Sequence, residues 1–317
     1  MSLRNIALSF ILLTVLYGSS LFFLDINNNS IVDIQNALSF LPLLMLLAFI
    51  SFILRYLRWY WLLSSAGQNV PFLAGFCFYL SGFALTASPG KVGELLRIRY
   101  FQRANVPASI TISAFIFERA SDLLIVLLLA LFAAFSFNFF PFIAIAIILI
   151  LAFVLTLAYK PFYLRLSIYF LYKRKMKKAA RFCKVVSRGI TGIYYWMTPK
   201  GLLISFVIGG FAWFILSLSF IWLLSAFNAQ VEWLSALSIY PIAMLAGALS
   251  MLPGGVGSTE AAIVTQLVHY DVPLVLAGIA AISIRIATIW FAILCGLMMV
   301  IFLEFKMMPI KKTDMER

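Results

Sequence analysis

The chain has 317 residues, of which 64% are hydrophobic and 11% are charged, and its formal net charge is +13. Because soluble domains carry about 25% charged residues, this composition excludes a soluble globular protein and indicates a polytopic membrane protein. The basic excess does not indicate nucleic-acid binding, since the basic residues lack interleaved aromatic residues and a soluble domain to present them.

Six apolar runs are long enough to cross roughly 30 Å of hydrocarbon, which requires about 20 helical residues. In chain order they cover residues 6–24, 40–63, 108–135, 139–159, 201–227 and 273–303. The first run is predicted to be a retained helix, because it is longer than a signal-peptide core and no small-residue cleavage site follows it. The runs lack the alternation of barrel strands, so we predict an all-α fold.

Basic residues are concentrated in two places that orient the chain. They are dense in the loop 160–200 and recur in the tail from Lys306 onward, whereas no Lys or Arg occurs between residues 201 and 284. The positive-inside rule therefore places this basic loop and both termini in the cytoplasm. Anionic lipid at the cytoplasmic face is an expected partner of these charges.

Two further apolar regions, residues 72–103 and 234–270, are each interrupted in the middle. Counting either region as a single span would place a basic segment on the wrong face of the membrane. We therefore predict that each enters and leaves on one side. The result is one transmembrane domain over residues 1–317, with six full helices and two re-entrant helical hairpins.

The two interruptions share a motif, which reads SPGKVGELLR at residues 88–97 and LPGGVGSTEA at residues 252–261. Each contains Pro-Gly, then Val-Gly, then a glutamate, and an arginine follows each glutamate after 25 positions. The two units enter from opposite faces in the predicted topology. This indicates an inverted repeat with halves 40–136 and 201–303, an arrangement found in transporters.

Proline ends a helix and glycine lets the chain reverse, so these motifs predict helix breaks inside the membrane. The break residues are Pro89, Gly90, Gly93, Pro253, Gly254, Gly255 and Gly257. Unpaired backbone at that depth must line a cavity, and a helix that restarts there presents free N–H groups and a positive dipole end to it. Such a cavity favours an anion, phosphate above all. Lys91 adds a cation, and Ser258 and Thr259 add hydroxyl groups.

Charged side chains at membrane depth cost at least ~2.5–3.5 kcal/mol on insertion scales, so each requires a partner or a function. We assign Arg119 and Arg285 to a lipid phosphate, which arginine binds in a bidentate manner. Glu94 and Glu260 would then hold these arginines in the empty site or receive an amine of the headgroup. The alternative is that the Glu–Arg pairs serve only to fix helix packing.

For four more charged residues, the sequence leaves two possible roles open. Glu118 and Asp122, four positions apart on one helix face, are candidates for proton coupling or for structural pairing. Arg55 and Arg58 are predicted near the cytoplasmic interface, where they either anchor the helix or guide headgroups into the cavity.

The sequence offers no set of residues for covalent chemistry. His269 is the sole histidine, and Cys77, Cys183 and Cys295 are scattered, so no metal site, cofactor site or catalytic triad is predicted. We therefore expect no enzymatic activity.

The motifs at residues 88–101, 118–122, 252–261 and 283–290 together resemble the lysylphosphatidylglycerol synthase transmembrane, or flippase-like, family over residues 40–303. This family is the membrane portion of the multiple peptide resistance factors. In its two-part members a soluble aminoacyltransferase domain makes the lipid that is flipped. Because this sequence ends shortly after its last predicted span, the resemblance implies lipid translocation rather than synthesis and leaves the lipid open.

The predicted function is a flippase-like transporter of the cell (plasma or inner) membrane. It would move a phosphate-bearing lipid headgroup, with or without an amine, through a polar cavity at the midplane. Two alternatives stay open: a carrier of a soluble organic anion or amphiphile, and a non-catalytic membrane partner of a lipid-modifying enzyme. Besides the phospholipid substrate, the candidate partners are a second copy of the chain and a lipid-synthesising enzyme.

Overall fold

The structure is a computed structural model that describes residues 28–131, 140–159, 162, 166, 168–170 and 176–306. All regular elements in these residues are helical. The predicted span at residues 6–24 lies outside the described residues, as do parts of the basic loop and most of the tail.

The α-helices of the described residues are α1 (Asn28–Ser65), α2 (Phe72–Ser81), α3 (Arg97–Arg103), α4 (Ala108–Ala130), α5 (Phe140–Tyr159), α6 (Lys177–Gly192), α7 (Pro199–Ala226), α8 (Trp233–Leu249), α9 (Ser258–His269), α10 (Leu274–Arg285) and α11 (Phe291–Lys306). Shorter 3₁₀ segments occupy Gly82–Leu85, Pro89–Leu96, Ile193–Trp196 and Pro253–Gly255, and a π-helical turn occupies Ile286–Trp290. Among the described residues, four helical stretches are long and apolar enough to cross a membrane: Val32–Ser65, Phe140–Leu157, Pro199–Ala226 and Leu274–Phe305.

These stretches correspond to four of the predicted spans. The predicted span 40–63 lies inside α1, and spans 139–159 and 201–227 coincide closely with α5 and α7. Span 273–303 is built from α10, the π turn and α11. The predicted span 108–135 corresponds to α4, which has 23 residues and carries three charged side chains near its middle.

Helix packing brings the charged helix α4 to the centre of the molecule. It contacts α6, α7 and α8, while α1 packs along α7 and α11 packs against α2. The contact between α4 and α6 is close, because a Cβ placed on Gly189 would lie 2.4 Å from a methyl carbon of Ile112. Residues 177–192 of the predicted basic loop are therefore a helix packed on α4.

Both breaks are followed by the same local structure. Pro107 and Pro273 precede α4 and α10 with nearly equal backbone angles, φ −58° and ψ 137° at the first and φ −53° and ψ 138° at the second. Two residues before each proline, Asn105 and Asp271 adopt the left-handed conformation with φ 62° and 59°. The two halves thus repeat one order of elements: a helix, a break, a short helix, a left-handed turn and a proline-capped helix. The opposite orientation of these halves in the membrane stays a prediction.

Candidate functional site

The first break is a compact 3₁₀ segment that separates α2 from α3. Ser88 is extended, with φ −97° and ψ 154°, and its hydroxyl accepts a hydrogen bond from the Gly93 N–H at 2.6 Å. Gly93 cannot carry a side chain here, because a Cβ would lie 2.4 Å from the Leu85 carbonyl oxygen. Lys91 is left-handed, with φ 56°. Lys91 lies in the first turn of the helix after the break, as predicted, but this helix is 3₁₀ and the α-helix begins only at Arg97.

The second break is an open turn made by glycines. Gly254, Gly255 and Gly257 have φ values of 64°, 66° and 84°, which only glycine adopts without strain. The α-helix α9 then begins directly at Ser258, as predicted. The Ser258 hydroxyl donates to the Gly255 carbonyl at 3.0 Å and therefore helps to close the turn.

The two breaks touch each other. A Cβ placed on Gly254 would lie 3.3 Å from Ala87 Cα, so the backbone of the second break packs directly on the residue before Ser88. The predicted cavity required the two break segments to lie side by side, and the structure places them so.

Arg285 joins the second break to α10. Its Nε atom donates to Glu260 Oε1 at 2.7 Å, and its Nη2 atom donates to the Gly254 carbonyl oxygen at 2.5 Å. The predicted contact between Glu260 and the arginine 25 positions later is therefore present. The π-helical turn Ile286–Trp290 follows Arg285 immediately; such turns are frequent at functional sites.

The first break is held by a different arginine. Glu94 accepts hydrogen bonds from Arg97 Nη2 at 2.6 Å and from the Thr86 hydroxyl at 2.8 Å. The expected pair between Glu94 and Arg119 is not formed. Arg97 is fully buried, and its guanidinium carbon lies 4.3 Å from the centre of the Tyr79 ring. The cause is local: Glu94 and Arg97 are three positions apart on consecutive turns and meet directly.

Arg119 instead belongs to a charge cluster between α1 and α4. Its Nη2 atom lies 3.2 Å from Asp122 and 3.3 Å from Glu118. Arg58 donates to Asp122 Oδ1 at 2.7 Å and to Glu118 Oε1 at 3.2 Å. The Tyr79 hydroxyl also donates to Glu118, at 2.6 Å. Glu118 and Asp122 therefore share one helix face, as predicted, and that face meets α1.

Arg55 and Arg58 lie inside the protein, and their predicted position near the cytoplasmic interface stays a prediction. Arg58 has no exposed surface, and Arg55 is 7% exposed. Arg55 stacks over Trp213 at 4.5 Å and lies 3.8 Å from Asp122. The carboxylates of α4 draw both arginines inward, so Arg58 is shut off from any headgroup in this conformation.

Two adjoining cavities lie beside the breaks. The outer cavity has a volume of about 240 Å³, and its polar lining consists of Ser88, Lys91, Arg119, Asp122 and Thr259. The inner cavity, of about 60 Å³, has a lining whose polar members are Arg55, Thr86, Lys91, Glu94, Tyr240, Arg285 and Thr288. Four residues line both cavities and form the partition between them: Lys91, Trp213, Met244 and Gly254.

The outer cavity is polar at one end and apolar over the rest of its wall. The apolar part comes from α4, α5, α8 and the second break, and includes Leu123, Ile147 and Leu245. Three further members, Ile150, Met251 and Leu252, are 43%, 62% and 46% exposed. The cavity thus has an apolar rim at the surface of the helix bundle.

Most predicted site residues therefore meet at these cavities. Glu118 and Arg58 lie behind the lining, while Ser258 and Glu260 stabilise the second break. The sequence interpretation missed Arg97 and Trp213. Arg97 could have been found from its position three residues after Glu94, whereas no feature of the sequence distinguishes Trp213. Within the described residues, no group of three or more His, Cys, Asp or Glu side chains is arranged to hold a metal ion.

Comparison with known proteins identifies the family. The sequence model described as the lysylphosphatidylglycerol synthase TM region matches residues 6–296. The chain belongs to this family. A curated UPF0104 membrane protein from Methanothermobacter thermautotrophicus strain Delta H is similar: it is 32% identical over 108 residues, which cover 34% of this chain and 32% of that protein. The matched stretch thus spans about a third of that relative. Family membership and the long apolar helices together establish a multi-pass membrane protein.

Proposed function

We propose that this protein translocates a phosphate-bearing lipid across the cell membrane, without changing it covalently. The headgroup passes through the two cavities beside the helix breaks, while the acyl chains stay in the lipid. The observation that supports this proposal is the outer cavity, which combines two partly exposed cations with an apolar rim at the bundle surface.

The polar end of the outer cavity has the chemistry of a phosphate site. Arg119 offers a planar guanidinium that suits two phosphate oxygens, and Lys91 offers a second cation on the facing break. The buried Thr259 hydroxyl and the first turn of α9 add donors on the third side. A phosphate would exchange its hydration shell for these groups.

The apolar rim favours a lipid over a soluble anion. A soluble anion gains nothing from Ile150, Met251 and Leu252, whereas an acyl chain that leaves the cavity between them remains in contact with apolar surface throughout. Exposed apolar side chains around a polar pocket are therefore the arrangement expected for a ligand with a charged head and a long hydrocarbon tail.

Translocation requires the headgroup to pass the partition between the cavities. The inner cavity, at about 60 Å³, is too small for a headgroup in this conformation. In the proposed cycle the two breaks move relative to each other, the inner cavity expands and the outer one closes. The predicted inverted repeat, re-entrant hairpins and cytoplasmic termini belong to this proposal, because two oppositely oriented halves can exchange roles.

The test is a reconstitution assay. The purified protein is inserted into liposomes that carry fluorescent phosphatidylglycerol in both leaflets, and an impermeant quencher reports the lipid that reaches the outer leaflet. We expect the wild type to move the lipid, and Arg119→Ala and Arg285→Ala to slow it about tenfold or more, since each loses a charge-assisted bond.

The matched control is Lys200→Ala, which removes an exposed cation at the start of α7. Size-exclusion profiles of all variants establish that they are folded. Equal rates for the wild type and both arginine variants would refute the assignment of the site, and failure of the folded wild type to move any phosphate-bearing lipid would refute the function.

A further inference from the structure

The buried polar region around the two breaks carries more positive than negative charge. Among the described residues, its basic members are Arg55, Arg58, Lys91, Arg97, Arg119 and Arg285. Its acidic members are Glu94, Glu118, Asp122 and Glu260. Six cations against four carboxylates leave an excess of two positive charges.

The surroundings of this region are unfavourable for an excess of positive charge, because much of it is removed from water. Arg58 and Arg97 have no exposed surface, Arg285 is 2% exposed, and the surrounding helices are apolar. Charges removed from water are stable only when they are paired, so two uncompensated positive charges call for a negative partner.

Part of the excess lies at the outer cavity, whose charged lining consists of two partly exposed cations, Lys91 and Arg119, and one carboxylate, Asp122. Glu260 forms an ion pair with Arg285, and Glu94 forms one with Arg97. The two carboxylates of α4, Glu118 and Asp122, also form ion pairs with Arg58. The cations that line the outer cavity are Lys91 and Arg119.

Arg119 retains unused hydrogen-bonding capacity. Its Nε and Nη2 atoms are buried without a hydrogen bond, although Nη2 lies 3.2 Å from an oxygen of Asp122. Lys91 and Arg119 therefore form the positive end of the outer cavity, and a bound anion would satisfy both.

Resting on the proposed function, we infer that the transported lipid ends in a phosphate monoester. Such a group carries about −1.5 to −2 charges at pH 7 and three acceptor oxygens, which matches an excess of two cations. A phosphodiester headgroup such as phosphatidylglycerol supplies one negative charge. A zwitterionic headgroup supplies none, and a lysylated headgroup adds positive charge to the excess.

The experiment compares lipids in the same liposomes. Fluorescent phosphatidic acid, phosphatidylglycerol, phosphatidylethanolamine and lysyl-phosphatidylglycerol, all with the same labelled chain, are assayed one at a time with the wild type. We expect phosphatidic acid to move fastest, at least about tenfold faster than phosphatidylethanolamine, since one additional ionic bond is worth roughly that factor.

The outcomes separate this inference from the proposed function. Equal rates for all four lipids, or a faster rate for any lipid other than phosphatidic acid, would overturn the monoester inference and leave translocation intact. No movement of any lipid would overturn both. Uptake of radiolabelled glycerol 3-phosphate at a rate that matches phosphatidic acid would show that the substrate is a soluble phosphate monoester. It would refute the proposal that the protein transports a lipid.

A charge variant tests whether the net positive charge determines which lipid is preferred. Lys91→Glu reduces the excess from two to zero and should lower the ratio of phosphatidic acid to phosphatidylethanolamine rates about tenfold or more, whereas Lys91→Gln should lower it less. The matched control is Lys200→Glu, which makes the same charge change at an exposed position. An unchanged ratio in folded Lys91→Glu protein would contradict the inference.

Discussion

Arg285 and Glu260 form an ion pair that fixes the start of α9 to the end of α10, with Nε and Oε1 2.7 Å apart. The same guanidinium donates to the Gly254 carbonyl oxygen on the other side of the break. One side chain thus binds residues at both ends of the second break.

Replacing this arginine should unfold the second break. In Arg285→Met, the Glu260 carboxylate and the Gly254 carbonyl both lose their bond to this arginine. We expect the free energy of unfolding to fall by about 3 kcal/mol, near the low end for a broken buried pair because Glu260 is 16% exposed. Thermal unfolding in detergent measures the loss. The double variant Arg285→Met with Glu260→Gln should recover part of it, because no charge is then left unpaired; a double variant less stable than the single one would contradict the pairing.

A second prediction contrasts a buried ion pair with an exposed one. Arg58→Met leaves Glu118 and Asp122 without their main buried partner. It should lower the free energy of unfolding by about 3–5 kcal/mol. Arg99→Ala breaks the exposed pair with Glu304, whose side chains are 57% and 39% exposed, and should cost less than about 1 kcal/mol. Unfolding of both variants under one condition provides the comparison. A cost of Arg58→Met as small as that of Arg99→Ala would rule out the buried network.

A third prediction concerns the packing of α11 beside the first break. A Cβ on Gly296 would lie 2.1 Å from the Ala84 backbone nitrogen, so Gly296→Ala must displace backbone and should cost about 1–3 kcal/mol. Gly210 in α7 has no atom within 4 Å of such a Cβ, so Gly210→Ala should be neutral or stabilising by up to about 1 kcal/mol. Melting temperatures of this pair test the contact, and Gly296→Ala protein as stable as the wild type would refute it.

The fourth prediction is a cross-link between the two breaks. A Cβ on Gly254 would lie 3.4 Å from Ala87 Cβ, close to the mean of about 3.8 Å in disulfides. In a background where Cys77, Cys183 and Cys295 are replaced by serine, Ala87→Cys with Gly254→Cys should form a disulfide under mild oxidation. A side chain at Gly254 is strained at φ 64° and its Cβ would lie 2.7 Å from Ile289 Cδ1, so the reduced double variant should be less stable than the background.

The cross-link is detected by a mass shift after cleavage between the two positions, and the single-cysteine variants are its controls. In the lipid assay the oxidised double variant should be inactive and recover when reduced, because the proposed cycle moves the breaks apart. Full activity of the oxidised, cross-linked protein would show that the breaks do not separate.

The sequence was informative wherever a feature depends on neighbouring residues. The breaks at Pro89 and Pro253 were predictable because proline and glycine act on their own backbone. The repeated spacing predicted the Glu260–Arg285 contact correctly but failed for Glu94, which pairs with Arg97 instead of Arg119. The long apolar helices followed from hydrophobicity alone. These features need no knowledge of which helices lie side by side.

The positions of Arg58 and Trp213 could not be predicted in this way. Arg58 looks like an interfacial residue near the end of a span, and only the packing of α4 against α1 brings two carboxylates to it. Trp213 is one of several aromatic residues in an apolar helix, and only the meeting of α7 with the breaks places it in the cavity wall. Both depend on contacts between residues far apart in the chain.

The partition of Lys91, Gly254, Trp213 and Met244 consists of residues that line both cavities. Two of its members come from the breaks and two from α7 and α8, so it is a junction of four independent segments. In the proposed cycle, a displacement of any one of these segments would join the two cavities, so exchange between them would not require a large rotation of the helix bundle.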